Sequence, residues 1–156
     1  MKRLKIRGMS LVEIVVGAAL VLVSFTGLIA AYNLYLRQAL AATPDIQATF
    51  LLEEGIEVVR FLRDAGWDAN IEPLATGTPY SLLWSGSAWV STTTRTLIDA
   101  QFDRIVTLGD AYRDGNGNLA SSGTLDPTMR QVEVSVSWHG RDATTTRTLS
   151  GYIHDL

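Results

Sequence analysis

The chain contains no cysteine. That excludes disulfide stapling, a thiolate metal site and a lipidated cysteine anchor. An extracytoplasmic location stays open, because a domain with an adequate core needs no bridge. Lysine is nearly absent as well: Lys2 and Lys5 are the only two, and every positive side chain after Arg7 is an arginine. The two histidines, His139 and His154, stand far apart with no third histidine beside them. Each reads as a surface residue and not as a metal ligand or catalyst. Neither a G-x-S-x-G elbow nor a Walker loop occurs, and the serines are scattered among turn signals. No catalytic constellation is visible, so the chain reads as a non-enzyme.

What is present is unevenly spread. A length of 156 residues suggests one compact domain, or one domain plus an anchor. From Ile14 to Leu36, 23 residues pass without a charged side chain. At about 1.5 Å per residue, such a helix reaches roughly 34 Å, enough to cross a hydrocarbon core of about 30 Å. Lys2, Arg3, Lys5 and Arg7 precede it, with no acid among the first eight residues. The rest of the chain sets nine arginines against all 16 acids, a net charge of minus seven. The basic leader should therefore stay cytoplasmic and everything after Arg37 be translocated. An acidic outer part argues against general nucleic-acid binding, which needs clustered Lys and Arg.

Three readings compete for the N-terminus. A secretory signal peptide fits the basic start and Ala39-Leu40-Ala41, but its apolar core should run only about 7–15 residues. A generic single-pass anchor fits the span and leaves Glu13 unexplained. A carboxylate well inside a bilayer costs about 2.5–3.5 kcal/mol on insertion scales, and less near the interface. The third reading uses every feature. Gly8-Met9-Ser10-Leu11-Val12-Glu13, between a short basic leader and an apolar helix, resembles the class III signal sequence of type IV pilins and pseudopilins.

The resemblance implies a cut between Gly8 and Met9 by prepilin peptidase, N-methylation of Met9, and Glu13 as the fifth residue of the mature chain. Met9 departs from the phenylalanine usual in the family. The physical logic is that cutting creates a positive amine at the bilayer edge. When helices pack in parallel with an axial offset, Glu13 of one subunit approaches the amine of the next, and the pair sets the register of assembly. The partners so implied are the peptidase and N-methyltransferase, other pilins or pseudopilins, the inner-membrane assembly machinery, and lipid before assembly. The implied location is the bacterial cytoplasmic membrane, single-pass with the head outside, and then a surface filament or a periplasmic pseudopilus. The missing closing disulfide and the run Leu52-Glu-Glu-Gly-Ile-Glu-Val-Val-Arg60 are similar to minor pilins of the modification-protein type.

The expected architecture is α+β, with residues 1–8 a leader, 9–36 a transmembrane and assembly helix, 37–65 its continuation, and 66–156 a β-rich head. Thr43-Pro44-Asp45 signals either the N-cap of a second helix or a kink in one long helix. Leu52, Ile56 and Val59 recur at helical spacing, with Leu51, Gly55, Val58 and Leu62 beside them. Glu53, Glu54, Glu57, Arg60 and Asp64 lie mostly on the other side and read as a solvated face, and Gly66 as a C-terminal stop. Val132, Val134, Val136 and Trp138 alternate cleanly over 131–138. His139–Asp142 turns into a second strand over 143–153, residues 102–108 give another, and 80–84 with 88–90 form a hairpin over Ser85-Gly86-Ser87. An antiparallel sheet on the apolar stripe of the helix is the natural arrangement.

Several further features carry candidate roles. Thr-Thr-Thr-Arg-Thr-Leu occurs at 92–97 and again at 144–149, with unmatched flanks, so it reads as two threonine-rich β runs and not as a duplicated domain. Asp114, Asn116 and Asn118 alternate like the start of a calcium loop, but Leu119 and Leu125 stand where glycine and glutamate belong. A polar turn joining two strands is the competing reading. Trp67, Trp84, Trp89 and Trp138 read as core or sheet-packing residues, and Arg113, Arg130, Arg141 and Arg147 as a potential local patch.

Overall fold

The computed structural model describes residues 11–140 and 143–156. It is α+β: a 54-residue helix, α1 (Leu11–Asp64), is followed by a seven-stranded antiparallel sheet. The chain divides into two compact units, one ending at Thr43 and the other spanning Pro44–Leu156. The leader, Gly8 and Met9 lie outside the described residues.

No second helix starts at Pro44. Helix α1 includes both Thr43 and Pro44. Thr43 is not an N-cap, because its hydroxyl turns back toward the carbonyl of Ala39 at 3.5 Å. After Asp64 the N–H groups of Ala65 and Gly66 bond the carbonyls of Phe61 and Arg63, and Gly66 takes φ +136°, which lets the chain turn into the one-turn helix α2 (Trp67–Asn70).

The strands are β1 (Pro79–Trp84), β2 (Trp89–Thr92), β3 (Leu97–Ile98), β4 (Phe102–Arg113), β5 (Leu119–Ala120), β6 (Thr124–His139) and β7 (Thr144–His154). Their order is β2-β1-β4-β6-β7, with β3 and β5 each paired to β4. The long strands exceed the predicted ones, β4 by five residues at its end and β6 by seven at its start. The register between them breaks at Asp110/Ala111, where Asp126 and Arg130 of β6 face adjacent residues of β4. Pro127 falls inside that break, where a residue without an N–H does least harm.

Alternation decides which face is covered. Phe102, Arg104, Val106 and Leu108 of β4 stand opposite Trp138, Val136, Val134 and Val132 of β6, and all eight are buried. Ala48, Leu52, Val58, Val59 and Leu62 of α1 join them in one core. Spacings of three and four residues put these helix positions on one stripe. Gly55 lies within that stripe at the closest approach to the sheet. A Cβ built there would sit 2.6 Å from Val134 Cγ1, so a side chain would have to push the helix off the sheet.

The second half of the helix also carries one ion pair into the core. Arg104 shares the apolar phase of β4 and is 3% exposed, and its Nη1 donates to Glu54 Oε2 at 2.6 Å. Glu54 stays exposed, as expected of the acidic face, while its carboxylate reaches in to Arg104. Glu57 and Arg60 pair on that face at 2.6 Å, and Asp64 pairs with Arg63 at 2.7 Å.

Candidate functional site

The apolar part of α1 sets the first candidate site. Every residue from Leu11 to Leu40 is exposed, including Leu20, Leu22, Val23, Phe25 and Leu28. A stretch this apolar and this long has the length and composition needed to cross the hydrocarbon core of a bilayer. Three polar side chains in the segment bond their own backbone. Ser24 donates to the Leu20 carbonyl at 2.8 Å, Thr26 to Val23 at 2.8 Å, and Asn33 to Ile29 at 3.0 Å. Such bonds let hydroxyl and amide groups enter lipid without orphaned hydrogens. Glu13 has no such recourse, since an ionised carboxylate cannot donate to a carbonyl. It is the only charged side chain between Leu11 and Leu36, and it is exposed on the helix.

One helix is thus long and apolar enough to span a membrane, by length and composition. With the antiparallel sheet that follows, this is the architecture that the pilin resemblance implies. No family model, curated protein or solved structure matches the chain. The shared ground is the long helix with a small sheet packed on it, and the finer identity rests on the residues.

The second candidate, Asp114, Asn116 and Asn118, closes the turn between β4 and β5, whose strands pair Tyr112 with Ala120 and Arg113 with Leu119. The structure brings the Asp114 and Asn118 side chains together, and Asn116 joins them through its backbone N–H. Asp114 Oδ1 accepts the N–H groups of Asn116 and Asn118 at 2.9 and 2.8 Å, and Oδ2 lies 3.4 Å from the Asn118 amide nitrogen. Those backbone N–H groups, that of Asn118 first, hold the Asp114 carboxyl below the usual carboxylate range. Gly117 supplies the positive φ, +80°, that the reversal needs. Both carboxylate oxygens point into the turn, which fits the polar-turn reading. Among the described residues, no group of three or more His, Asp or Glu is placed to hold a metal ion.

Among the described residues, the candidate arginines Arg113, Arg130 and Arg147 are each paired with an acid. Arg113 binds Asp126 at 2.7 Å and the Gly117 carbonyl at 2.8 Å, Arg130 binds Asp110 at 2.6 Å, and Arg147 binds Asp45 at 2.9 Å. Each is neutralised by its own acid, and Arg141 lies outside the described residues. Both histidines are exposed at strand ends, His139 beside Thr144 and His154 beside Thr128. Trp67 and Trp138 are core residues as expected. Trp84, at the end of β1, is 56% exposed and packs edge-on against Trp89 across the hairpin. The buried Arg104 escaped the sequence reading altogether. The signal available was its position in the Phe102, Val106, Leu108 phase of a strand, where an arginine demands a carboxylate from another element.

Proposed function

We propose that this chain is a prepilin-like structural subunit, of the minor-pilin kind, cut after Gly8 and assembled through α1 into a type IV pilus or a related filament. The observation that carries the reading is one carboxylate, Glu13, near the start of the exposed, membrane-length apolar stretch of α1, in which Ser24, Thr26 and Asn33 bond their own backbone. The helix supplies two surfaces in sequence. Its apolar half is stored in lipid and later packs against other subunits, while its second half anchors the sheet. Cutting after Gly8 would place the new Met9 amine in reach of a neighbour's Glu13, turning a costly lone charge into an intersubunit pair. The role is structural and involves no catalysis. The partners are prepilin peptidase with its N-methyltransferase activity, other pilins, and the assembly machinery of the inner membrane.

A pseudopilin of a secretion or DNA-uptake system shares every one of these steps and differs in its partner set. Mass spectrometry of the mature N-terminus, from cells with and without prepilin peptidase, tests the common part. A chain beginning at N-methyl-Met9 only when the peptidase is present is the expected result. An intact Met1, or a cut near Ala41, would overturn it.

A further inference from the structure

The hairpin formed by β1 and β2 ends in two tryptophans that face each other across the register, Trp84 opposite Trp89. Their ring centroids are 5.7 Å apart and their planes 66° from parallel, so the two rings make a corner and not a stack. Val58 and Phe61 of α1 stand opposite, and Glu54 and Glu57 complete the lining of an open cleft of about 520 Å³. That size falls in the range of small-molecule clefts, roughly 300–1,000 Å³. Phe61 and Trp84 are each more than half exposed, an unusual amount of aromatic surface to leave in water.

The lining narrows the class of ligand. It holds three aromatic rings, one valine and two carboxylates, and no cationic side chain. Glu54 gives Oε2 to Arg104, and Glu57 gives Oε1 to Arg60, so each retains a second oxygen. An anion finds no cationic partner in the lining, and a bare metal ion would find aromatic faces where it needs oxygen donors. A neutral apolar ligand would gain nothing from the carboxylates. A quaternary alkylammonium uses both halves of the lining. Its charge is spread over methyl groups that rest on ring faces, and the carboxylates hold it without needing an N–H. These rings already attract one cation, because the Arg104 guanidinium lies 5.8 Å from the Trp89 ring centroid.

We propose that the Trp84–Trp89–Phe61 cleft binds a free quaternary alkylammonium of the choline type. A phosphate-bearing lipid headgroup is the wrong source, because its anion would find no cationic partner in the lining.

The full chain, labelled with ¹⁵N and held in maltoside micelles, gives one indole N–H signal for each of Trp67, Trp84, Trp89 and Trp138. Titration with choline chloride should move the Trp84 and Trp89 signals saturably and leave Trp67 and Trp138 in place. The neutral isostere 3,3-dimethyl-1-butanol should bind at least about tenfold more weakly, since it keeps the shape and loses the charge. Read on the Trp89 signal, Trp84→Ala should weaken choline by about three- to thirtyfold, the range a cation–π contact supplies, and Glu57→Gln by a smaller factor. If Trp84→Ala fails to fold, Trp84→Leu retains apolar bulk without a ring face and takes its place. The absence of saturable shifts, or equal binding of the neutral isostere, would overturn the proposal. So would phosphocholine binding as tightly as choline, or substituted chains that bind unchanged.

Discussion

Replacing Gly55 by alanine sets two well-measured effects against each other. On an isolated helix the change is favourable, by about 1 kcal/mol, because alanine loses less backbone freedom than glycine. In this fold the new Cβ would lie 2.6 Å from Val134 Cγ1 and 3.3 Å from Cγ2, against a usual carbon–carbon separation of about 3.5–4.0 Å. Neither side yields easily. Val134 is fully buried on a strand paired on both edges, and rotating its χ1 only brings one methyl where another was. Arg104 Cδ blocks the other side at 3.4 Å. Overpacking of this kind costs about 1–3 kcal/mol, so packing should win and the variant should lose about 1–2 kcal/mol net. For a head of this size that lowers Tm by roughly 4 °C per kcal/mol, read by near-UV circular dichroism of the chain in mild detergent. Val134→Ala should destabilise on its own by leaving a cavity, yet combine with Gly55→Ala at less than the sum, because the alanine methyl enters the space vacated. A coupling of at least about 1 kcal/mol is expected for such neighbours. A Gly55→Ala chain that melts higher than the parent, with no coupling to Val134, would refute the reasoning and show that the helix stands farther from the sheet.

Other outcomes follow from the same structure. Glu54→Ala strands the buried Arg104 charge and should cost about 1–3 kcal/mol, discounted from a fully buried pair because Glu54 is half exposed; Arg104→Met removes the charge instead and should cost clearly less. Chemical denaturation of the two variants checks that order, and the reverse order would contradict the pairing. Asp114 and Asp126 both have carboxyls held below their usual range, Asp114 chiefly by backbone N–H groups and Asp126 chiefly by the Thr128 side chain and then Arg113. Their stabilisation is therefore complete above the unfolded carboxylate pKa, near 4, and is lost as pH falls through the lower folded values. Melting temperature plotted against pH should drop below about pH 4, and less steeply in Asp114→Asn and Asp126→Asn; parallel curves would remove these groups from the acid response. Glu13→Ala should leave cutting after Gly8 intact and abolish incorporation into filaments, scored by immunoblot of the processed chain against sheared filament fractions. Normal incorporation would sink the pairing with the Met9 amine.

The parts of the fold legible in the sequence were those written in long, regular patterns. The stripe Leu52, Val59, Leu62 and the alternation Val132 to Trp138 each repeat often enough that no short-range conflict can erase them. Strand order was not legible, because pairing β1 with β4 joins residues that no local pattern connects. Trp84 packs on the sheet through Trp89, but residue type alone does not tell how far a tryptophan is covered, because that depends on two elements together. The exposed face of Glu54 is legible in the spacing but its pairing is not, since its partner lies fifty residues away in a strand. The turn that joins Asp114, Asn116 and Asn118 is local and so legible in the spacing, whereas the aromatic cleft needs the hairpin and the helix side by side.

The hexapeptide Thr-Thr-Thr-Arg-Thr-Leu shows how little a short stretch decides by itself. At 144–149 it is uninterrupted strand within β7; at 92–97 it ends β2, bends through four residues and only at Leu97 begins β3. In both places the arginine is fastened to an aspartate on another element, Arg147 to Asp45 of the helix and Arg95 to Asp103 of β4. It is a chameleon segment: identical letters and the same kind of acid partner, yet two conformations, so the choice lies outside the six residues. Exchanging the flanks, and not the hexapeptides, would be the way to rewrite either end of this sheet.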